Sequence, residues 1–292
     1  MSDRAALLQR FYESFDYAGQ LGRDPLQFAH RYDNPADVEA VAFIAASLAF
    51  GRVAAIAGAV HPLLAALGPH PAVALRDGHR IAAAADRTYR WLQPAEIAAL
   101  LRAVGDALKE HDSLEGQWRA VNPEPGPLWE DLGRFLIALR ARAEAHHPDP
   151  RGRSRSLAFL FPSTRGTAAC KRQHLFLRWM VRGPTEGVDR GLWTAVTPDR
   201  LIVPADVHTA RIGHALGLCR RPVPSRRTAD ELTASLRAYD AADPVRFDFA
   251  LCHLGISGAC KAARDPVVCP TCDLRSACRW WADKSEAPLP AF

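Results

Sequence analysis

NPADVEAVAFIAASLAFG, residues 34–51, sets the fold class of this chain. Asn34 can accept backbone N–H bonds at a helix start, Pro35 suits the first helical position, and Gly51 follows the apolar run as a stop. The alanine-rich stretch between them has the length and residue types of a buried helix. Similar stretches, separated by Pro, Gly and Asn/Asp, predict helices at about 53–67, 95–110, 127–147, 168–182, 207–216, 228–239 and 244–254. Thr228-Ala-Asp-Glu231 reads as a capping box and Asp243-Pro244 as a cap followed by proline. No strand series, heptad register or fixed-period repeat interrupts this pattern, so an all-α protein is expected. Residues 146–156 and 183–191 read as joints.

At 292 residues, 48% hydrophobic and 24% charged, the composition is that of a globular chain rather than a disordered one. The longest apolar run, Val38 to Phe50, is too short to span a bilayer, and MSDRAALLQRF lacks a signal-peptide core. A cytoplasmic location without membrane contact follows as the expectation. Seven cysteines in a reducing compartment favour metal ligation over disulfides.

Charge is unevenly spread. From Arg151 to Arg182 there are eight Lys or Arg residues (Arg151, Arg153, Arg155, Arg165, Lys171, Arg172, Arg178 and Arg182) and no Asp or Glu, so the net +5 leaves −3 for the rest of the chain. Such a stretch is either a footprint for a polyanion, nucleic acid above all, or a solvated loop.

The helix inside it buries Leu175, Phe176, Trp179 and Met180 as one stripe, with Lys171 a turn ahead of Leu175. The positive end of the helix dipole and Arg172 both disfavour a charged amine there, which suits a lysine that attacks carbon. The other reading is a surface lysine that contacts phosphate. Downstream, Asp206 precedes an amphipathic helix that ends at Gly217. It reads as an N-cap, and a cap held ionised by backbone N–H groups can also steady a cation or move a proton.

Near the end of the chain, Cys260, Cys269, Cys272 and Cys278 form C-x8-C-x2-C-x5-C. Zinc and an iron–sulfur cluster both take four thiolates, and the residues alone leave the choice open. The single C-x-x-C pair is unlike the two pairs of a zinc ribbon. Cys170, Cys219 and Cys252 are scattered and receive no role.

The stretch PADVHTARIGHALGL, residues 204–218, resembles the V-D-T-H-V-x-R-x-x-x-R-L-G-L signature of the helix-hairpin-helix (HhH-GPD) superfamily of DNA glycosylases, with Asp206 in the place of the catalytic carboxylate and His208 and Arg211 matching its His and Arg. The four-cysteine run that follows is similar to the iron–sulfur loop of endonuclease III. Lys171 precedes Asp206 by 35 residues, farther than in endonuclease III, and this spacing resembles the archaeal 8-oxoguanine DNA glycosylases. Other blocks, such as CKRQHLFLRWMVR, resemble a bacterial family without an assigned function.

The resemblance implies a two-lobed HhH-GPD fold with a C-terminal iron–sulfur cluster loop. Residues 36–199 would form a helical barrel carrying the hairpin and Lys171, and residues 1–35 with 200–292 would form a second helical domain. It implies a monomeric DNA repair glycosylase with AP lyase activity on double-stranded DNA containing a damaged base, an 8-oxoguanine-like purine, or an abasic site. Lys171 would form the Schiff base with Asp206 assisting; Arg165, Arg172, Arg178, Arg211 and His208 would hold DNA; Trp193 would stack on the extruded base or lie in the core. Cys260, Cys269, Cys272 and Cys278 would hold a [4Fe–4S] cluster, with zinc the alternative. The rival functions are a non-catalytic DNA-binding iron–sulfur protein and a four-cysteine zinc protein that binds RNA.

Overall fold

The computed structural model describes residues 3–149 and 154–281, which excludes Arg151 and Arg153 of the basic run. The secondary structure of the described residues is helical, with no strand beyond an isolated bridge between Tyr89 and Leu92. Among these residues no single helix is long and apolar enough to cross a membrane.

The chain divides into two compact units. The larger contains residues 21–166 and 175–197; the smaller contains the described residues up to 20, residues 167–174, and those from 198 onward. Lys171 therefore groups with the terminal segments, not with the 36–199 barrel expected from the sequence.

In the larger unit the helix Pro35–Ser47 is capped as expected: Asn34 Oδ1 accepts the Ala36 N–H at 2.9 Å. The helix stops at Ser47, before Gly51, which instead turns the chain at φ 103°. Every residue from Asp37 to Ser47 is buried, including two carboxylates that cap other helices. Asp37 Oδ1 accepts the Ala72 N–H at 2.7 Å, at the start of Pro71–Asp77. Glu39 accepts the Leu114 and Glu115 N–H groups at 2.7 and 2.9 Å, at the start of Leu114–Val121. Each carboxylate thus meets donors that a helix start leaves without an intrahelical acceptor, which is why charge is tolerated inside this core. The long helices Pro94–His111 and Leu128–Ala145 pack together, burying Leu100, Leu101, Leu108, Leu132, Leu136 and Leu139. Each such side chain removed from water contributes about 1.5–3 kcal/mol before the entropy of ordering is set against it.

The smaller unit is built from Asp3–Ser14, Val207–Ala215, Arg226–Arg237 and Asp248–Ile256. Tyr12 and Phe15 meet Phe247 and Phe249 edge to face, and Arg246 lies 4.2 Å from the Tyr12 ring centre while pairing with Asp240 at 2.6 Å. Two expected helix starts are corrected. Ser225, not Thr228, caps Arg226–Arg237, its Oγ accepting the Thr228 N–H at 3.1 Å, while Glu231 turns to the Arg220 N–H and Arg227. Asp243-Pro244 opens a turn and the helix begins at Asp248, because Asp240 captures the Ala242 and Asp243 N–H groups in a local turn.

Candidate functional site

The site lies within the smaller unit. An extended segment with Leu201, Ile202, Val203 and Ala205 buried leads to Asp206, tied down where the Val203 N–H meets Thr233 Oγ1 at 3.0 Å. Asp206 is the N-cap of Val207–Ala215, and its Oδ1 accepts the Thr209 N–H at 2.8 Å. Its other oxygen is 3.1 Å from the Nζ of Lys171, the first residue of Lys171–Val181. The lysine side chain retains 31% of its exposure against 11% for the aspartate, so the lysine is the more solvent-accessible member of the pair.

Two further groups complete the pair. Cys252, on Asp248–Ile256, directs its thiol to Asp206 Oδ2 at 3.5 Å, which makes it a third partner of the carboxylate. Burial alone would raise the Asp206 pKa; the Lys171 charge, the Thr209 N–H, the Lys171 hydrogen bond and His208 outweigh it and hold the carboxyl below its ordinary value. Burial and the Asp206 charge push the Cys252 thiol well up, so it stays an S–H donor rather than a thiolate. Immediately before Lys171, Cys170 adopts a left-handed φ of 46°, and its carbonyl accepts the Gln173 and His174 N–H groups at 3.1 Å each. A non-glycine residue in that region costs about 1–2 kcal/mol, a strain stored next to Lys171.

His208 packs against Gly255 so tightly that a Cβ there would come within 2.8 Å of the imidazole. A glycine at this point lets Val207–Ala215 and Asp248–Ile256 approach closely, which brings Cys252 to Asp206. Sequence spacing could not show this contact, since 46 residues separate the two.

The other site expectations divide sharply. Arg165 and Arg211 are exposed and His208 is partly so. Arg172 and Arg178 are corrected: both are buried, and burial pulls the Arg172 guanidinium down to about 10. Arg178 meets Asp189 at 3.3 Å, and Arg182 meets Asp189 at 2.5 Å and Glu186 at 3.2 Å. The carboxylates that pair with Arg178 and Arg182 thus lie just beyond the end of the basic run. Trp193 is not a base-stacking residue either. It is 4% exposed, donates its indole N–H to Glu39 at 2.6 Å and packs on Trp118, Phe135 and Phe176.

The cysteine loop is anchored to the same helices. The Cys260 N–H bonds the Leu254 carbonyl at 3.0 Å, and the Arg279 N–H bonds the Ala215 carbonyl at 2.8 Å, at the C-terminal ends of the Cys252 and Asp206 helices. Backbone N–H groups of Ala262 and Asp265 reach the sulfurs of Cys260 and Cys269 at 3.4 and 3.3 Å, and Ala262 takes a φ of 52° to do so. Burial raises the Cys260 and Cys272 thiols, and the neighbouring cysteines of the set raise them further. A cation relieves that mutual repulsion, and N–H groups directed at sulfur suit thiolate ligands. The donor chemistry therefore fits a thiolate-held metal, although among the described residues no three His, Cys, Asp or Glu side chains form a coordinating group. Of the basic residues nearby, Arg264 and Arg275 lie over the Trp281 ring and Arg279 meets His214 at 3.0 Å.

A family model matches residues 24–257, a span that includes Lys171, Asp206 and Cys252 and stops three residues short of Cys260. The chain belongs to the family described as protein of unknown function (DUF2400). No curated protein and no solved structure matches it. The DUF2400 match overturns the resemblance to the HhH-GPD glycosylase superfamily, which rested on short motifs around Asp206 and the cysteines. In DUF2400 terms, the lysine, carboxylate and thiol belong to the family region, while the four-cysteine loop follows it.

Proposed function

We propose that this DUF2400 protein is a DNA lyase that works through a Schiff base on Lys171, removing a damaged base and cutting the strand at the resulting abasic site. The observation that carries the reading is the 3.1 Å approach of Lys171 Nζ to Asp206 Oδ2, with the carboxylate fixed by the Thr209 N–H. An amine that must be deprotonated to attack, and a fixed carboxylate to accept and return its proton, are the two parts such chemistry requires.

Asp206 takes a proton from Lys171. The neutral amine bonds to the sugar C1′ as the C1′–N bond to the base breaks, and the departing base takes the proton from Asp206. As the C1′–O4′ bond then opens, O4′ takes one of the two protons on the attached nitrogen, leaving the protonated imine, whose positive charge faces the restored carboxylate. Loss of a C2′ proton to Asp206 breaks the C3′–O3′ bond and releases the 3′ strand as its 5′-phosphate; water then hydrolyses the imine to the aldehyde and returns the lysine, and Asp206 gives its proton to solvent. The thiol of Cys252 holds Oδ2 in place and takes no covalent part. Arg165 and Arg211 are the exposed cations of the proposed set that remain for phosphate contacts. The preference for an oxidised purine followed from the superfamily resemblance alone and has no residue of this site behind it.

Cys260, Cys269, Cys272 and Cys278 would hold the metal centre, a [4Fe–4S] cluster or zinc. When bound, it would brace the loop that caps the Asp206 and Cys252 helices. Iron and zinc analysis of the purified protein separates the two. The lyase reading is tested by borohydride reduction on a duplex carrying an abasic site. Wild type forms a covalent protein–DNA adduct and Lys171→Ala does not; equal trapping by both, or trapping by neither, rejects the reading.

A further inference from the structure

In the larger unit three aromatic rings meet at the surface. Trp91 is 47% exposed, and its ring centre lies 4.9 Å from Phe50 and 5.0 Å from Phe159, which are themselves 4.9 Å apart. Arg90 sets its guanidinium 5.4 Å from the Trp91 centre and 5.9 Å from that of Phe50.

The cluster is held rather than fortuitous. Tyr89 and Leu92 exchange both backbone hydrogen bonds at 2.9 Å, closing a two-residue turn whose tip is Arg90-Trp91. The Tyr89 hydroxyl donates to the Phe50 carbonyl at 2.5 Å, fastening that tip to the neighbouring loop. Arg90 adopts a φ of 57° in a turn position that ordinarily favours glycine or asparagine, and Gly51 leaves the space beside it, since a Cβ there would lie 2.5 Å from the guanidinium. Arg90 stands at a positive φ that glycine would adopt without strain, and about half of Trp91 is left open to solvent, so the arrangement points outward to a ligand.

The surrounding charge is positive. Arg52 is exposed next to Gly51, and exposed Arg155 stands one turn before Phe159 on the same helix face. Of the acidic residues near the turn, Asp86 is paired with Arg87 at 3.6 Å, and Glu96 accepts the Gln93 N–H at 2.8 Å and meets His147 at 3.5 Å. Aromatic faces that accept any base, with guanidinium groups to follow the phosphates, are what an unpaired nucleic-acid strand requires.

We propose that Phe50, Arg90, Trp91 and Phe159 form a stacking platform for single-stranded nucleic acid, flanked by Arg52 and Arg155. The platform extends the nucleic-acid reading above from chemistry to substrate holding, and it rests on that reading only for the class of partner.

The test is binding of a fluorescent oligothymidylate of about 16 nucleotides, within the span such surfaces cover, to the full chain carrying Lys171→Ala so that no turnover intervenes. Trp91→Ala on that background weakens binding about 5- to 100-fold, the effect of one lost base stack, and Trp91→Phe retains most of the affinity. Arg90→Ala lowers the slope of log affinity against log salt by about 0.7. Ile137→Ala, an exposed apolar residue of the same unit, leaves binding unchanged. Undiminished binding by Trp91→Ala overturns the platform, as does a Trp91→Ala effect confined to self-association in sedimentation. If borohydride trapping fails but the strand still binds through Trp91, only the lyase reading falls; if trapping succeeds and Trp91→Ala binds normally, only the platform falls.

Discussion

Lys171 Nζ and Asp206 Oδ2 lie 3.1 Å apart although 35 residues separate them in sequence, and the carboxylate is also the N-cap of its own helix. Its two oxygens therefore do different work, Oδ1 closing the helix and Oδ2 facing the amine. Asp206→Asn preserves the cap, since asparagine caps as well as aspartate, but it cannot take a proton. The expected outcome is a melting temperature within a few degrees of wild type, with trapping on abasic DNA slowed at least about 100-fold. Asp206→Ala loses the cap as well and costs about 1 kcal/mol more in denaturant unfolding.

The same carboxylate sets an acid limit. Because its folded pKa is lowered, it binds protons less tightly when folded than when unfolded. Its stabilising share is complete above the ordinary value of 3.8 and is lost as pH falls through the lowered one. Urea midpoints measured from pH 6 to about 2.5 should drop more steeply for wild type than for Asp206→Asn.

Glu39 behaves with the opposite sign. Burial raises its pKa despite the Leu114, Glu115 and Trp193 donors, so the folded protein holds that proton more tightly than the unfolded chain. This contribution is greatest below 4.5 and declines as pH rises through the raised value. Glu39→Gln removes that decline, whereas Glu39→Ala strands three buried donors and costs about 3–5 kcal/mol, with a shift in Trp193 fluorescence.

Gly255→Ala drives a methyl group into His208 and costs about 1–3 kcal/mol, the usual range for overpacking. His208→Ala vacates that space. The double variant should therefore unfold at a higher urea concentration than Gly255→Ala alone, and additive losses would show that the helices meet elsewhere.

The seven cysteines should sort into two classes. Cys170 and Cys219 are each pushed up to about 11 by burial, and Cys252 is raised well above the ordinary thiol value. Iodoacetamide at neutral pH should label the partly exposed Cys269 and Cys278 in metal-stripped protein, reach Cys260 and Cys272, whose thiols burial also raises, more slowly, and leave the other three until denaturant is added. Metal should protect the four, and its removal should lower the melting temperature, because the loop caps two helices through Cys260 and Arg279.

What the sequence revealed was local. The Asn34-Pro35 start, the buried stripe of Leu175, Phe176, Trp179 and Met180, and the cap at Asp206 depend on neighbours within a turn, and each is present. What it concealed was longer in range. Glu39 caps a helix 75 residues away, a relationship with no local pattern. The basic run ended, in the reading, at Arg182, seven residues before the buried Asp189 that neutralises it. The pairing of Lys171, Asp206 and Cys252 needs three helices brought together, and a short motif at one of them pointed to the wrong superfamily.

The interleaving of the two units constrains how this protein is made. The segment 167–174 is flanked on both sides by stretches of the larger unit, and Asp206 and Cys252 follow later still. A ribosome delivers the lysine before either of its partners exists, so the site cannot be assembled until synthesis has passed residue 252. For the same reason neither unit corresponds to one continuous stretch of gene. A cut at any single point severs at least one of them, and fusion or split-protein designs have to respect an order of assembly that the helices alone do not reveal.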